Sequence, residues 1–532
     1  MERKRIVWAI LPALLGGIIL PGESMAAKKV ALSDKKLTVI QGRSKVLTVK
    51  HVKKKVIWSI VSGKSNVALK KKKARAVTIM GKKKGTAKVQ AIAGKKKLVC
   101  KVTIKAVSKP APSILPPQNP QTPKATDRPQ CTSTPGPTEK GPVETKPSET
   151  IIPGKNENDV AALKKLIGEM RGRGASVSED LDSKQYIWNE EGRLEEIQWG
   201  YDPWFGYKRL SGDLSLAPFT ALKTLVCSDG QISSLDVSKN ESLVYLNCDN
   251  NEISSLDISN NKLLSDLSCG TNEISSLDVS KNELLVYLNC IGNKLTSLDV
   301  NSNPALTFLD CGSNQLESLD VSGNPVLQSL YCERNQLTGL DVSANAALKE
   351  FYCSSNQLNS LDLSKNAALE DLYCSGNKLT SLNVGGAAAL LYLECERNDL
   401  ERLDVSENLV LERLNCRYNK LSGLDVSRNT GLKIFYCEEN MLTTLKFGQN
   451  TVLTELYCSA NQLGSLDVSG LTALKELQCT GNQLGSLDVS SNTALTSLYC
   501  FKNQISSLDV SRNTVLEKLD CDDTVTVVGY KK

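Results

Sequence analysis

Histidine is almost missing from this chain: of 532 residues only His51 is one. The sequence also has no Cys-x-x-Cys pair, no nucleophile elbow and no glycine-rich phosphate loop. These gaps remove the usual residues of imidazole acid–base catalysis, of serine–histidine nucleophiles, of zinc sites and of nucleotide binding. Long apolar runs are scarce too. Only Ile6 to Gly22 is free of charge over a long stretch, and no later segment is long and apolar enough to span a bilayer. Acid is missing from one region in particular. Residues 28–105 hold 25 Lys/Arg against the single acid Asp34, a net of +24, while the rest of the chain sums to −17. The overall charge of +7 therefore conceals a basic head and an acidic body.

What is present is a strict period. Fifteen cysteines recur at one fixed interval, as Cys227, Cys248, Cys269, Cys290 and onward to Cys521, without an insertion or a deletion. A period in the range of about 20–29 residues marks a solenoid, in which each unit buries its apolar face only by stacking on its neighbours. The unit Leu243-Val-Tyr-Leu246-Asn-Cys248-Asp-Asn-Asn251-Glu-Ile253 matches the pattern L-x-x-L-x-L-x-x-N-x-L, with cysteine in the third leucine slot. It resembles the leucine-rich repeat from about residue 222 to 521. That resemblance implies a right-handed solenoid with a parallel, concave sheet, and asparagines such as Asn251 bonded to the backbone of the turns. Leu246 and Cys248 then point inward from a short strand, and the residues beside them face solvent. A 21-residue unit leaves no room for a full helix on the return side, which is expected to be extended or a single 3₁₀ turn.

The chain divides further. Arg3, Lys4 and Arg5, the apolar run and Ser24-Met25-Ala26 read as a signal peptide over 1–26, which implies export. Residues 27–106 alternate apolar and polar positions in about seven short strands. Val30-Ala31-Leu32-Ser33, Val56-Ile57-Trp58-Ser59, Gly85-Thr86-Ala87-Lys88-Val89 and Cys100-Lys101-Val102-Thr103-Ile104 resemble the group 2 bacterial immunoglobulin-like domain, which implies a β-sandwich with Trp58 and Cys100 in its core. Twelve prolines between Pro110 and Pro153 make 107–156 an extended linker, in which Cys131 stands alone. Residues 157–221 read as an N-terminal cap. It has an amphipathic helix from Asp159 to Met170 capped by Asn158 or Asp159, then a degenerate repeat at Leu194–Trp199. Residues 222–521 are the repeats, and 522–532 a C-terminal cap with a closing strand near Thr524–Val528.

Two columns invite metal chemistry and are better explained otherwise. Adjacent in-register cysteines lie ~4.8 Å apart with parallel Cβ vectors, too wide for disulfides, and the column reads as small buried hydrophobes. Asp recurs at a fixed place after cysteine, as in Asp236, Asp257 and Asp278, but an apolar residue and Ser follow it, and Lys446 takes one slot. Local turn hydrogen bonding accounts for it better than calcium. No metal and no cofactor are expected.

The solvent side of the strands is the candidate site. One residue before cysteine stand Tyr331, Tyr352, Tyr373, Tyr436, Tyr457 and Tyr499, and three before it Tyr245, Tyr287 and Tyr392 with Phe308. Nine of 14 tyrosines thus share one face of a chain that is only 5% aromatic. These two rows and the one after cysteine hold 13 Asp/Glu against Arg413, Arg417 and Lys518. Tyr331, Tyr352, Tyr373, Tyr392, Tyr436, Tyr457 and Tyr499 are the expected ligand contacts, since tyrosine is a rigid amphipathic contact residue. The sequence as a whole resembles internalin-type bacterial surface proteins. That resemblance implies a secreted, wall-associated adhesin that binds a protein or glycan, with the basic head on anionic wall polymer. It names no enzyme activity, no nucleic-acid partner and no transmembrane segment in the mature chain. A scaffolding wall protein without a specific ligand is the alternative, and a hydrolase regulator a third. No Leu-Pro-x-Thr-Gly motif occurs, so covalent anchoring is not expected.

Overall fold

The computed structural model describes residues 31–32, 36–40, 44–50, 56–62, 67–70, 76–81, 85–93, 96–105, 154–200 and 209–530. The expected signal peptide, Cys131 and nearly all of the Pro-rich linker lie outside these residues, as does the side chain of Trp58. The chain separates into two compact units, Met1–Pro142 and Val143–Lys532.

The first unit has eight strands: β1 (Ala31–Leu32), β2 (Lys36–Ile40), β3 (Ser44–Lys50), β4 (Ile57–Ser62), β5 (Val67–Lys70), β6 (Ala76–Gly81), β7 (Gly85–Ala93) and β8 (Lys96–Lys105). They form two four-stranded sheets, in the orders β1-β3-β6-β5 and β2-β8-β7-β4. All described pairs are antiparallel except β2 with β8. Strand alternation sorts the side chains of β7 and β8. Ala87, Val89, Ala91, Cys100 and Val102 are buried, whereas Lys88 and Lys101 are exposed. Val56, Val67 and Ile79 complete this core.

The second unit begins with α1 (Glu157–Gly172), which buries Val160, Leu163, Leu166, Ile167 and Met170 at helical spacing. Its cap is Asn156, not Asn158 or Asp159 as expected. The Asn156 side-chain oxygen accepts the backbone N–H groups of Asn158 and Asp159, both at 3.1 Å. Asp159 is committed elsewhere. It is 1% exposed, and its Oδ2 accepts from Arg193 Nε at 2.8 Å and from the Leu194 N–H at 2.9 Å. This ties the helix to the first strand of the solenoid, β10 (Leu194–Gln198), whose outer neighbour β9 (Tyr186–Trp188) runs antiparallel to it.

From β10 onward the chain is a parallel β-solenoid of leucine-rich repeats. One short strand per repeat pairs with its counterpart in the next repeat, as in Tyr245↔Asp266, Leu246↔Leu267 and Asn247↔Ser268. The ladder continues in this register to Lys518–Asp520. The central residue of each strand and the following cysteine point inward, and Cys227 to Cys479 are fully buried. No disulfide joins any two cysteines of the column.

Two asparagine columns hold the coils together. Asn251 Nδ2 donates to the carbonyls of Cys227 at 2.9 Å and Cys248 at 3.0 Å, while its Oδ1 accepts the Ile232 N–H at 3.0 Å. Every repeat through Asn503 copies this bridge. A second column, made by Asn240, Asn261, Asn282 and their successors, lies outside the pattern that identified the repeat. Asn261 Nδ2 donates to the carbonyls of Val237 at 3.1 Å and Asn240 at 2.9 Å. Buried carbonyls left unpaired cost about 1–3 kcal/mol each, so these carboxamides keep the stack in register.

The return side alternates turns with short extended pairs such as Ser360–Asp362 with Ser381–Asn383. Each recurrent Asp accepts, through its Oδ1, the N–H two residues on, for example Ser259 to Asp257 at 2.9 Å and Ser343 to Asp341 at 2.8 Å. These are Asx turns, and the hydrogen bonds hold the carboxyls of both residues below the ordinary range. At the far end Thr526–Val528 closes on Ser507–Asp509 of the return side rather than on the long sheet. Among the described residues no helix is long and apolar enough to cross a membrane.

Candidate functional site: the solvent face of the long sheet

The strands that bury their middle residue and cysteine turn the residues on either side of that middle one outward. Tyr331, Tyr352, Tyr373, Tyr392, Tyr436, Tyr457 and Tyr499 all lie on this outer face, and every one is half-buried rather than fully exposed. For most of them the cause is their own stacking. Tyr287 and Phe308 lie face to face, with ring centroids 4.4 Å apart and planes 9° from parallel. Phe308 meets Tyr331 at 5.4 Å, Tyr331 meets Tyr352 at 4.7 Å, and Tyr352 meets Tyr373 at 4.4 Å. The run crosses diagonally from one row to the other over five repeats. Tyr436 and Tyr457 form a second, shorter stack with centroids 4.8 Å apart. Tyr392 and Tyr499 join neither run.

A charged bridge separates the two stacks. Glu394 is 8% exposed and receives Arg413 Nε and Asn415 Nδ2, each at 2.6 Å. Arg417 Nη2 donates to Glu396 at 2.7 Å, and Asn415 reaches the same carboxylate at 3.0 Å. Both guanidinium groups also lie 5.2 Å from the centre of the Tyr436 ring, within cation–π range. Sequence rows could not show this: the contacts join residues of successive repeats and depend on which way long side chains lean.

Further carboxylates sit half-buried among the rings. Asp310 is pushed up to about 6, chiefly by burial, with Glu333 and Asp249 adding repulsion. Glu438 is raised to about 7, again mainly by burial and in spite of Arg417, whose Nη1 lies 3.9 Å away. Glu333 and Asp249 are raised for the same reason. The tyrosine hydroxyls share this environment, and burial and the neighbouring Glu350 lift that of Tyr331 far above its ordinary value. A face that half-buries phenols and carboxylates together is an amphipathic surface with desolvated charge. Among the described residues it carries neither a nucleophile with its base nor converging metal ligands.

The cysteines behind this face are chemically quiet. Burial raises the Cys227 and Cys374 thiols to about 12 and holds those of Cys248 and Cys353 well above their ordinary value. A thiol held protonated is a poor nucleophile and a poor metal ligand.

No protein-family model matches the chain, and comparison with curated proteins gives no match. Solved structures do resemble it, among them internalin-type leucine-rich-repeat proteins of Listeria. The functional domain of InlJ from Listeria monocytogenes, which includes a cysteine ladder, shares 35% identity, covers 60% of this chain and 68% of its own, and has a TM-score of 0.49. The internalin InlF of the same organism shares 21% identity over 59% of this chain and 88% of its own, with a TM-score of 0.45. YopM of Yersinia pestis, a leucine-rich effector protein, shares 21% over 71% and 96%, with a TM-score of 0.43.

Proposed function

We propose that this chain is a secreted, adhesin-like bacterial binding protein that uses the solvent face of its long sheet to hold a macromolecular ligand, a protein or a glycan. The observation that carries the reading is the unbroken run of rings from Tyr287 to Tyr373, set among half-buried carboxylates. Rigid aromatic groups with little rotamer freedom to lose concentrate interface energy, and charges already partly desolvated lose less water on contact. Tyr331, Tyr352, Tyr373, Tyr392, Tyr436, Tyr457 and Tyr499 are the proposed contacts.

In the same reading residues 1–26 direct export, 27–106 form an immunoglobulin-like sandwich that holds anionic wall polymer through its +24 charge, and 107–156 are a spacer. The protein then works outside the cell, against the wall. A scaffolding role without a ligand has one observation in its favour: the rings satisfy one another and so stiffen the sheet on their own. The experiment that separates the two replaces Tyr352, Tyr373, Tyr436 and Tyr457 by Ser and measures binding to an identified partner. A ligand-binding face loses affinity, whereas a scaffold keeps its wall association and shows no such loss.

A further inference from the structure

The two halves of the sheet face solve the same electrostatic problem differently. In the half containing Tyr392 to Tyr457, the carboxylates Glu394 and Glu396 are matched by Arg413 and Arg417, which also cover the Tyr436 ring. In the half containing Tyr245 to Tyr373, the three outward rows carry six acids and no Lys or Arg. Among the described residues no ion pair reaches Asp249, Asp310, Glu333, Glu350 or Asp371. Their hydrogen bonds come from neutral donors: Ser268 and the Gly270 N–H on Asp249, the Gly312 N–H on Asp310, Ser329 and Tyr331 on Glu350. Glu333 Oε2 is shielded from solvent and accepts no hydrogen bond at all.

Ring geometry narrows what can dock there. A sugar stacks its C–H face on an open aromatic face. In this run each ring is crowded by a neighbour 4.4–5.4 Å away: Tyr287 and Phe308 lie face to face, Phe308–Tyr331 and Tyr352–Tyr373 are tilted by 42° and 48°, and Tyr331 meets Tyr352 edge-on. The strip therefore offers crowded ring surface flanked by carboxylates rather than one free-standing ring face. That combination suits ammonium and guanidinium groups carried on apolar stems, as the internal pair Arg413 and Arg417 illustrates on the other half.

We propose that the partner seated on the Tyr245–Tyr373 half is a Lys/Arg-rich polypeptide segment, whose cations take up the positions over the acids that Arg413 and Arg417 occupy further along. This rests on the reading of the sheet face as the binding surface and goes beyond it by choosing protein over glycan and fixing the sign of its charge.

The test uses the full chain and defined probes: a labelled alternating Arg-Ser peptide, its Glu-Ser counterpart, and the oligosaccharides chitohexaose and cellohexaose. Two variants carry the same change in net charge. One is D310N/E333Q/E350Q on the face. The other is D257N/D278N/D341N on the return side, where Asn383 already shows that Asn supports the turn. Thermal unfolding confirms that both fold; a variant that does not is replaced by its single substitutions. The proposal expects the Arg-Ser peptide to bind and the oligosaccharides not to, with Arg-Ser affinity falling at least about tenfold in the face variant and less than about twofold in the return-side variant, while any Glu-Ser binding, which the basic head can supply, is unchanged in the face variant. Equal loss in both variants would show mere attraction to net charge and overturn it. Failure of the Arg-Ser peptide to bind the parent overturns it as well. Oligosaccharide binding that disappears on changing Tyr352 and Tyr373 to Ser, with no peptide binding, overturns the partner chemistry while leaving the sheet face as the site. Partner binding that survives the tyrosine changes removes the site itself.

Discussion

The rings of Tyr352 and Tyr373, which fill the same slot of successive repeats, meet with their centroids 4.4 Å apart and their planes inclined by 48°. Each therefore shields part of the other. The repeat period converts one residue choice into a continuous strip, because register pairs Tyr352 with Tyr373 across the sheet. Stacked pairs of this kind contribute about 0.5–1.5 kcal/mol beyond the area they bury. The strip is thus pre-organised before any ligand arrives.

The cysteine column should be inert. Cys227 to Cys479 are buried and in no disulfide, and burial holds the Cys227 thiol up at about 12. Thiol titration of the native protein should proceed slowly and reach completion only in denaturant. Mass spectrometry that found bridges between adjacent repeats, such as Cys332 with Cys353, would contradict the packing role.

Stability should fall as pH rises through the weakly acidic range. Asp310 at about 6 and Glu438 at about 7 bind protons more tightly when folded than when unfolded, where a carboxyl titrates near about 4. Above roughly pH 4 the folded state thus holds the extra protons, and folding loses stability until pH passes each folded value. Denaturant melts at about pH 5 and about pH 8 should show the parent weaker at the higher pH, with the difference reduced in D310N and in E438Q. A pH response that both variants leave unchanged would assign it to other groups.

Much of this architecture was legible from spacing alone. The repeat period, the inward Leu and Cys positions and the first asparagine column follow from a side-chain pattern that no insertion disturbs. The second asparagine column was almost as regular, at Asn240, Asn261, Asn282 and onward with only Ala387 and Leu471 replacing it, and those apolar replacements could have marked the slot as buried. The helix cap was not legible locally, because Asp159 is drawn away by Arg193, far along the chain in the first repeat. The stacks and the Arg413–Glu394 bridge were hidden because rows of residues do not say which neighbours their long side chains choose. The left-handed turn after each cysteine was masked too, since glycine fills only some of its slots.

At that turn, two residues after each cysteine from Cys227 to Cys500, the backbone enters the left-handed region, at φ 53° for Thr271 and φ 66° for Gly292 and Gly376. A β-branched residue is strained there. Thr271→Gly should raise the denaturation midpoint, by about 1 kcal/mol in stability, and Gly376→Val should lower it. A Thr271→Gly variant less stable than the parent would mean that the threonine side chain stabilises the turn by more than its strain costs.

Attachment through the basic head should be electrostatic. Full-length protein bound to anionic wall polymer should elute as salt rises, because at ~1 M the Debye length shrinks to ~3 Å. Retention unchanged at that salt would rule out charge as the main force.

The most direct measurement concerns the sheet face itself. Changing Tyr352, Tyr373, Tyr436 and Tyr457 together to Ser leaves the buried Leu and Cys columns untouched, so the fold should survive, as circular dichroism can check. Affinity for an identified partner, measured by titration calorimetry, should fall by at least about a hundredfold, because central aromatic residues carry most interface energy. Alanine changes at Ser259, Ser280 and Ser343 on the return side should leave it within about twofold. A tyrosine variant that folds and binds as tightly as the parent would contradict the account.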